Sequence, residues 1–112
     1  MHRRNTIIMT QEEVIQRIKE LGERLLPEGA SLWLYGSRAR GDARPDSDYD
    51  VLILFDTDVL HEKDTDIICD LAELGWDMSV EINAHTYPRS KWDTWIYSPF
   101  YKNVEQDKRI LI

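Results

Sequence analysis

Residues 36–51 read Gly36-Ser37-Arg38-Ala39-Arg40-Gly41-Asp42-Ala43-Arg44-Pro45-Asp46-Ser47-Asp48-Tyr49-Asp50-Val51, joining a turn of small residues to two carboxylates two positions apart. Apolar runs flank the stretch, Leu32-Trp33-Leu34-Tyr35 before it and Val51-Leu52-Ile53-Leu54-Phe55 after it. Short apolar runs bounded by Gly, Pro, Asp and Ser read as buried strands. The order is therefore strand, Gly-Ser turn, basic segment, then a second strand entered through Asp-x-Asp. Strand side chains alternate faces, so Asp48 and Asp50 point the same way, roughly 6.6 Å apart at about 3.3 Å per residue, and Tyr49 points away.

Nothing in packing requires an acid at both 48 and 50. Two carboxylates on one face repel each other unless a cation lies between them, and hard oxygen donors favour Mg²⁺ or Mn²⁺ over softer metals. Mg²⁺ held by only two or three protein acids completes its shell with water and substrate phosphates, which suits a metal–nucleotide complex. The Gly-Ser turn supplies the other half of such a complex. Gly36 lets backbone approach a phosphate, Ser37 can donate a hydroxyl hydrogen bond, and amides opening a following helical turn attract anions. Arg38, Arg40 and Arg44 add positive charge nearby.

Gly36-Ser37-Arg38-Ala39-Arg40-Gly41 followed by Ser47-Asp48-Tyr49-Asp50 resembles the signature of the DNA polymerase beta-type nucleotidyltransferase superfamily, and more narrowly that of its small prokaryotic branch, the minimal nucleotidyltransferases or MNT proteins. The resemblance spans roughly residues 10 to 85. It implies an α+β (α/β) fold with a short mixed β-sheet and flanking helices, and Mg²⁺ or Mn²⁺ as cofactor. It also implies a nucleoside triphosphate donor, with ATP expected, and transfer of a nucleoside monophosphate to a hydroxyl with release of pyrophosphate. Asp48 and Asp50 take the metal-ligand positions, and Gly36, Ser37, Arg38, Arg40 and Ser47 the nucleotide-binding ones. The superfamily draws a third carboxylate from the strand beside Asp-x-Asp, and Glu81 in Ser79-Val80-Glu81-Ile82-Asn83 is the candidate, where Asp is usual. Alternation would turn Val80 and Ile82 to one side and Glu81 to the other with Ser79 and Asn83. Asp77 is the weaker alternative.

Length and composition agree with one compact unit. The 112 residues fit a single domain with a modest core, and 42% hydrophobic content with 11 aromatics opposes disorder. The formal charge of −7 opposes an electrostatic footprint on DNA or RNA, whose non-specific affinity comes from Lys and Arg neutralising phosphates. Arg3 and Arg4 read as a solvated tail. With a single cysteine, Cys69, no intrachain disulfide can form and no zinc-site spacing occurs. The apolar stretch Thr6-Ile7-Ile8-Met9 is too short for a signal-peptide core, and no run approaches a membrane span. A cytoplasmic location without membrane contact is the expectation.

Along the chain, Thr10 with Glu13 forms a capping box and Val14, Ile15, Ile18, Leu21 and Leu25 recur at helical spacing, predicting a helix over about 11–26. Further expectations are a strand over 32–35, a brief helix over 37–43 and a strand over 49–55. A helix over 61–74 ended by Gly75, a third strand over 78–86, and short helices over 89–96 and 99–108 complete the reading. The domain core is placed at about 10–87. Residues 88–112 form an aromatic-rich helical tail carrying Trp92, Trp95, Tyr97, Phe100 and Tyr101, which either covers a face or edge of the sheet or offers a partner surface. His85 reads as a packed or solvated residue. Larger superfamily members carry an added acceptor-binding domain, so the acceptor here is expected from another chain. MNT proteins commonly act as antitoxins beside HEPN-domain toxins, some transferring AMP to the toxin, which makes a HEPN-domain partner the leading expectation. A non-catalytic nucleotide-binding interaction module and a homo-oligomeric small-molecule (antibiotic-type) nucleotidyltransferase are the alternatives.

Overall fold

The computed structural model describes residues 9–112; Arg3, Arg4 and most of the short apolar N-terminal stretch lie outside that range. The chain opens with α1 (Gln11–Leu25), whose capping box is formed as expected: Thr10 Oγ1 accepts from the Glu13 amide at 3.1 Å, and Glu13 accepts from the Thr10 amide at 2.7 Å. Next come β1 (Ser31–Tyr35), the single turn α2 (Ser37–Arg40) and β2 (Tyr49–Phe55). A 3-10 turn over Glu62–Thr65 leads into α3 (Asp66–Met78), followed by β3 (Ile82–Pro88), α4 (Arg89–Trp92), α5 (Pro99–Asp107) and β4 (Arg109–Ile110). The four strands form one mixed sheet in the order β3-β2-β1-β4. The β1–β2 and β1–β4 pairs are antiparallel and β2–β3 is parallel.

Alternation along the strands divides the interior between the two sheet faces. On one face Leu32, Leu34, Tyr49, Val51, Ile53, Phe55 and Ile82 pack against Val14, Ile15 and Ile18 of α1 and Ile67, Leu71 and Met78 of α3. On the other, Trp33, Leu52 and Leu54 pack against Trp92 of α4 and Val104 of α5, with Tyr87, Trp95, Phe100 and Tyr101 around them. Trp92 is 1% exposed. Its ring meets those of Trp33, Tyr87, Trp95, Phe100 and Tyr101 at centroid distances of 4.9–6.2 Å, and its Nε1 donates to Glu105 Oε2 at 2.9 Å. The aromatic segment therefore covers a sheet face, the first of the two readings, and stacked or edge-on aromatic pairs add to the burial energy. Tyr97 alone among its five named aromatics stands 84% exposed.

Several boundaries differ from the sequence expectation: α2 ends at Arg40 rather than at 43, and α3 begins at Asp66, after the 3-10 turn, rather than at 61. Gly75 does not end α3; it is a buried position inside the helix, where a Cβ would stand 2.7 Å from the Val80 carbonyl oxygen. The helix runs one turn further and stops at Ser79, which takes the left-handed conformation (φ 59°, ψ 38°). β3 consequently begins at Ile82 rather than at Met78, and it extends to Pro88. Residues 93–96 do not continue α4. The fourth strand was not anticipated: Ile110 pairs with Trp33 and Arg109 with Leu34, and Arg109 also makes a two-pronged contact with Glu12 of α1 at 2.8 Å on each prong. No helix among the described residues is long and apolar enough to cross a membrane.

Candidate active site

Antiparallel pairing sets Tyr35 opposite Asp50, so the Gly-Ser turn that follows Tyr35 lies directly beside the acidic end of β2. Gly36 has φ 76° and ψ −159°, a region essentially closed to residues with a Cβ. The same missing carbon admits the acid, since a Cβ on Gly36 would lie 2.6 Å from Asp50 Oδ2. Ser37 opens α2, whose four residues close back on Gly41 in the left-handed conformation (φ 90°). Glycine at 36 is thus demanded twice, by the backbone and by the carboxylate.

Parallel pairing brings β3 to the other side of Asp50, with Asn83 as its register partner. The Asn83 Nδ2 donates to Asp48 Oδ2 at 2.9 Å and lies 3.5 Å from Asp50 Oδ1, so one neutral amide bridges the two carboxylates. Burial raises the Asp50 pKa above its ordinary value; the Asn83 hydrogen bond opposes this and the Asp48 charge adds to it. Tyr35, alongside, is pushed up to about 12, first by burial and then by the charge of Asp50. It stays neutral at any physiological pH. The site is thus two like charges, partly desolvated, with a polar group between them. That donor set suits a hard divalent cation: the acids are anionic oxygens, and the amide, turned over, presents a carbonyl oxygen.

The structure distributes the remaining sequence candidates unevenly. Glu81 is exposed and falls one step before β3, level with Asp48 in the β2–β3 register, and its carbonyl oxygen accepts from the Tyr49 amide at 2.9 Å. As expected, Ile82 is buried in the helical core and Val80 packs against it. Among the described residues no three His, Cys, Asp or Glu side chains converge closely enough to hold a metal ion, so Glu81 is adjacent to the pair without having closed on it. Asp77 lies on α3 and not on the strand.

Arg38 has a different set of partners from those a phosphate ligand would leave open. Its Nε and Nη2 donate to the Ser47 carbonyl oxygen at 3.2 and 2.9 Å, Nη2 also to that of Pro45 at 3.1 Å, and Nη1 to Gln11 Oε1 at 3.2 Å. The guanidinium sits 4.3 Å from the centroid of the Tyr49 ring. Gln11 in turn donates to the Arg38 carbonyl oxygen at 3.1 Å. The planar five-donor fork of arginine suits this role, and lysine could not reproduce it. Arg38 therefore ties α1, α2 and the 45–47 turn together immediately ahead of Asp48. Ser47 has a turn-forming role as well, its Oγ accepting from the Arg44 amide at 2.8 Å.

Arg40 is more available. Its side chain is 46% exposed and is paired with the exposed Asp42 at 3.2 Å, a contact of small net worth, and with the largely buried Asp107 at 2.9 Å. It lines, with Tyr35, Gly36, Phe100, Asn103 and Asp107, a cavity of about 430 Å³ on the Gly36 side of the acids. A second cavity, about 510 Å³, opens on the Asp48 side between the 45–48 turn and the α3–β3 junction. The residue that sequence reading left without a role is Asn83; its signal was the alternation that set it on the same face as Glu81.

Comparison with known proteins agrees with this geometry. The sequence matches the nucleotidyltransferase domain family over residues 12–112. A search of the curated proteins finds no match. Among solved structures, the fold is similar to that of a toxin–antitoxin crystallised with AMP-PNP (TM-score 0.61, 19% identity, covering 88% of this chain and 72% of the other). It is likewise similar to a complex of tri-AMPylated Shewanella oneidensis HEPN toxin with MNT antitoxin (TM-score 0.59, 16% identity, 92% and 72% covered). A mutant of the toxin–antitoxin MntA–HpeT is a third such structure (TM-score 0.60, 15% identity, 93% and 73% covered). At these identities the likeness is one of fold, and it bears out the expected short mixed sheet with flanking helices. The family match extends through Asp48, Asp50 and the strand that faces them, and on it the chain belongs to the nucleotidyltransferase domain family.

Proposed function

We propose that the chain transfers a nucleoside monophosphate, AMP from ATP, to a hydroxyl of a partner protein, acting as the MNT antitoxin of a HEPN-domain toxin. The observation that carries this reading is the Asp48–Asp50 pair bridged by Asn83, with the Gly36 backbone pressed against Asp50. Asp48 and Asp50 would hold Mg²⁺ or Mn²⁺, with Glu81, level with Asp48, as third carboxylate. When bound, the metal would lower the pKa of the acceptor hydroxyl and offset charge on the phosphates. Gly36 and Ser37 receive the β- and γ-phosphates through backbone and hydroxyl, and Arg40, released from Asp42 and Asp107, pairs with them. Ser47 and Arg38 hold the turn that aims Asp48. The acceptor oxygen bonds to the α-phosphorus, the bond from that phosphorus to the bridging oxygen breaks, and pyrophosphate departs carrying the electron pair. The hydroxyl proton passes to a carboxylate or to solvent.

The test is incubation of the protein with Mg²⁺, α-³²P ATP and a cell extract, and with any HEPN-domain protein encoded beside it. Label is expected on a HEPN-domain protein and is expected to disappear with Asp48→Asn or Asp50→Asn. Label on a small molecule instead would establish the antibiotic-type alternative. Tight ATP binding without label on any acceptor would establish the non-catalytic one.

A further inference from the structure

We infer that Asn83 is itself a ligand of the divalent cation, giving it a neutral carbonyl oxygen from β3 beside the carboxylates of β2; this rests on the metal binding proposed above. Asp48 Oδ2 and Asp50 Oδ1, oxygens of two different side chains, converge on one nitrogen, Asn83 Nδ2, at 2.9 and 3.5 Å. Carboxylates gather around positive charge, and the partly positive amide hydrogens supply it there. A divalent cation held by the same two oxygens takes the same place, and the hydrogens that satisfy a carboxylate repel a cation. The amide must then withdraw or turn over. A half-turn about its last side-chain bond, whose torsion is broad and roughly two-fold, exchanges the nitrogen for the oxygen.

The surroundings of Asn83 favour the half-turn. It lies inside β3 as the register partner of Asp50, and β3 is paired to β2 from Ile82 to Pro88, so the backbone holds the side chain at the acids. Its neighbours Ile82 and Ala84 pack into the helical core and fix that placement further. Among the described residues nothing donates to Asn83 Oδ1, so turning this oxygen toward the acids breaks no hydrogen bond on its far side. Which way an amide faces follows its neighbours: two acceptors select Nδ2, and a cation selects Oδ1. Hard divalent cations accept asparagine carbonyl oxygens as well as carboxylates. An amide also brings a donor atom without charge. The cation therefore keeps more of its own charge for the phosphates than it would beside a further carboxylate at position 83.

Binding of Mn²⁺ and of Mn·ATP is measured by isothermal titration calorimetry on the parent, Asn83→Leu and Asn83→Asp, with thermal melts in EDTA to confirm folding. Leucine keeps the shape of asparagine and removes its polar atoms. Asn83→Leu is expected to weaken Mn²⁺ at least tenfold, and Asn83→Asp, a stronger oxygen donor at the same place, to tighten it at least tenfold. An amide that only spaced the carboxylates, or competed with the cation for them, gives the opposite sign: Asn83→Leu would bind Mn²⁺ as tightly as the parent or more so, which overturns the inference. A second readout follows the ligand atom in the parent itself and so does not depend on a variant's stability. With asparagine labelled with ¹³C at Cγ, electron–nuclear double resonance of the Mn²⁺ complex is expected to show a carbon coupling that Asn83→Asp abolishes. No coupling in the parent also overturns the inference, and leaves Asp48 and Asp50 to bind the cation without Asn83. Absence of binding of both Mn²⁺ and Mn·ATP to the parent overturns the inference together with the metal reading. Coupling without transfer of label from α-³²P ATP to any acceptor refutes the transfer reaction and leaves Asn83 standing as a ligand.

Discussion

Replacing Gly36 by Ala separates the structural demand of the turn from its demand on the site. The native conformation, φ 76° and ψ −159°, costs a residue with a Cβ about 1–3 kcal/mol. The new carbon would also stand 2.6 Å from Asp50 Oδ2, so the carboxylate must leave its rotamer at a further cost of about 1 kcal/mol. At about 4–8 °C per kcal/mol for a domain of this size, a total near 3 kcal/mol lowers Tm by roughly 12–24 °C. Gly41→Ala is the control. It too forces a Cβ into positive φ, at about 1–2 kcal/mol, but nothing lies within 4 Å of the added carbon. Calorimetric titration with Mn²⁺ alone and with Mg·ATP, beside thermal melts, distinguishes them. Both variants melt earlier, yet Gly36→Ala alone loses metal affinity, by about 10–100-fold, the range typical when a ligand's support is disturbed. Equal Mn²⁺ affinity in the two variants would refute the claim that Gly36 exists to admit Asp50.

Arg38→Ala, which frees the 45–47 turn, is expected to weaken binding of Mn²⁺ in the absence of nucleotide by roughly 10-fold, with Arg38→Lys recovering little of it. An Arg38 that contacted phosphate would instead spare the metal alone and harm only Mg·ATP. Asp50 has a folded pKa raised above 3.8, chiefly by burial, so its ionisation opposes folding: without divalent metal, the contribution of this group to stability falls as pH rises from the ordinary aspartate range through the folded value. Asp50→Asn should therefore melt higher than the parent at pH 7 in EDTA and lose that advantage below pH 4; a lower melt at pH 7 would contradict the sign. Gly75→Ala forces a carbon to within 2.7 Å of the Val80 carbonyl oxygen and is expected to cost about 1–3 kcal/mol in urea unfolding. A neutral result would mean that the α3–β3 junction yields easily.

What could be read in the sequence was whatever rests on local chemistry. The capping box at Thr10 and Glu13, the helical spacing of α1, and the apolar runs of β1 and β2 all state their structure within a few residues. Asp48 and Asp50 stood out because alternation on β2 gives acids there no packing reason. The errors came where a residue's role depends on something distant. Gly75 resembles a helix stop, but its missing Cβ makes room for the Val80 carbonyl, and the real stop is Ser79, a type that rarely takes positive φ. That slip of one turn placed Glu81 inside a strand it only precedes. β4 is two residues long and is defined by pairing with a strand more than 70 positions earlier, so no local pattern could announce it. Arg38 beside a Gly-Ser turn suggests a phosphate ligand, whereas its four hydrogen bonds, to three acceptor oxygens on Gln11, Pro45 and Ser47, are visible only in three dimensions.

The aromatic layer explains why the acids sit where they do. β2 is buried on both faces from Val51 to Phe55, with Val51, Ile53 and Phe55 toward the helices and Leu52 and Leu54 toward Trp92 and Val104. Asp50 is the first residue of that second face beyond the aromatic cover, flanked by Tyr35 and Asn83 instead of Trp33 and His85. A carboxylate one pair further in, at Leu52, would be sealed among rings and forced neutral; one pair further out stands Asp48, partly exposed and held by the Asn83 amide at 2.9 Å. At the boundary Asp50 is desolvated enough to be pushed up in pKa and open enough to reach a ligand. The tail that contributes no candidate catalytic residue therefore sets the electrostatics of the site, by fixing where the apolar cover ends on the strand that carries the acids.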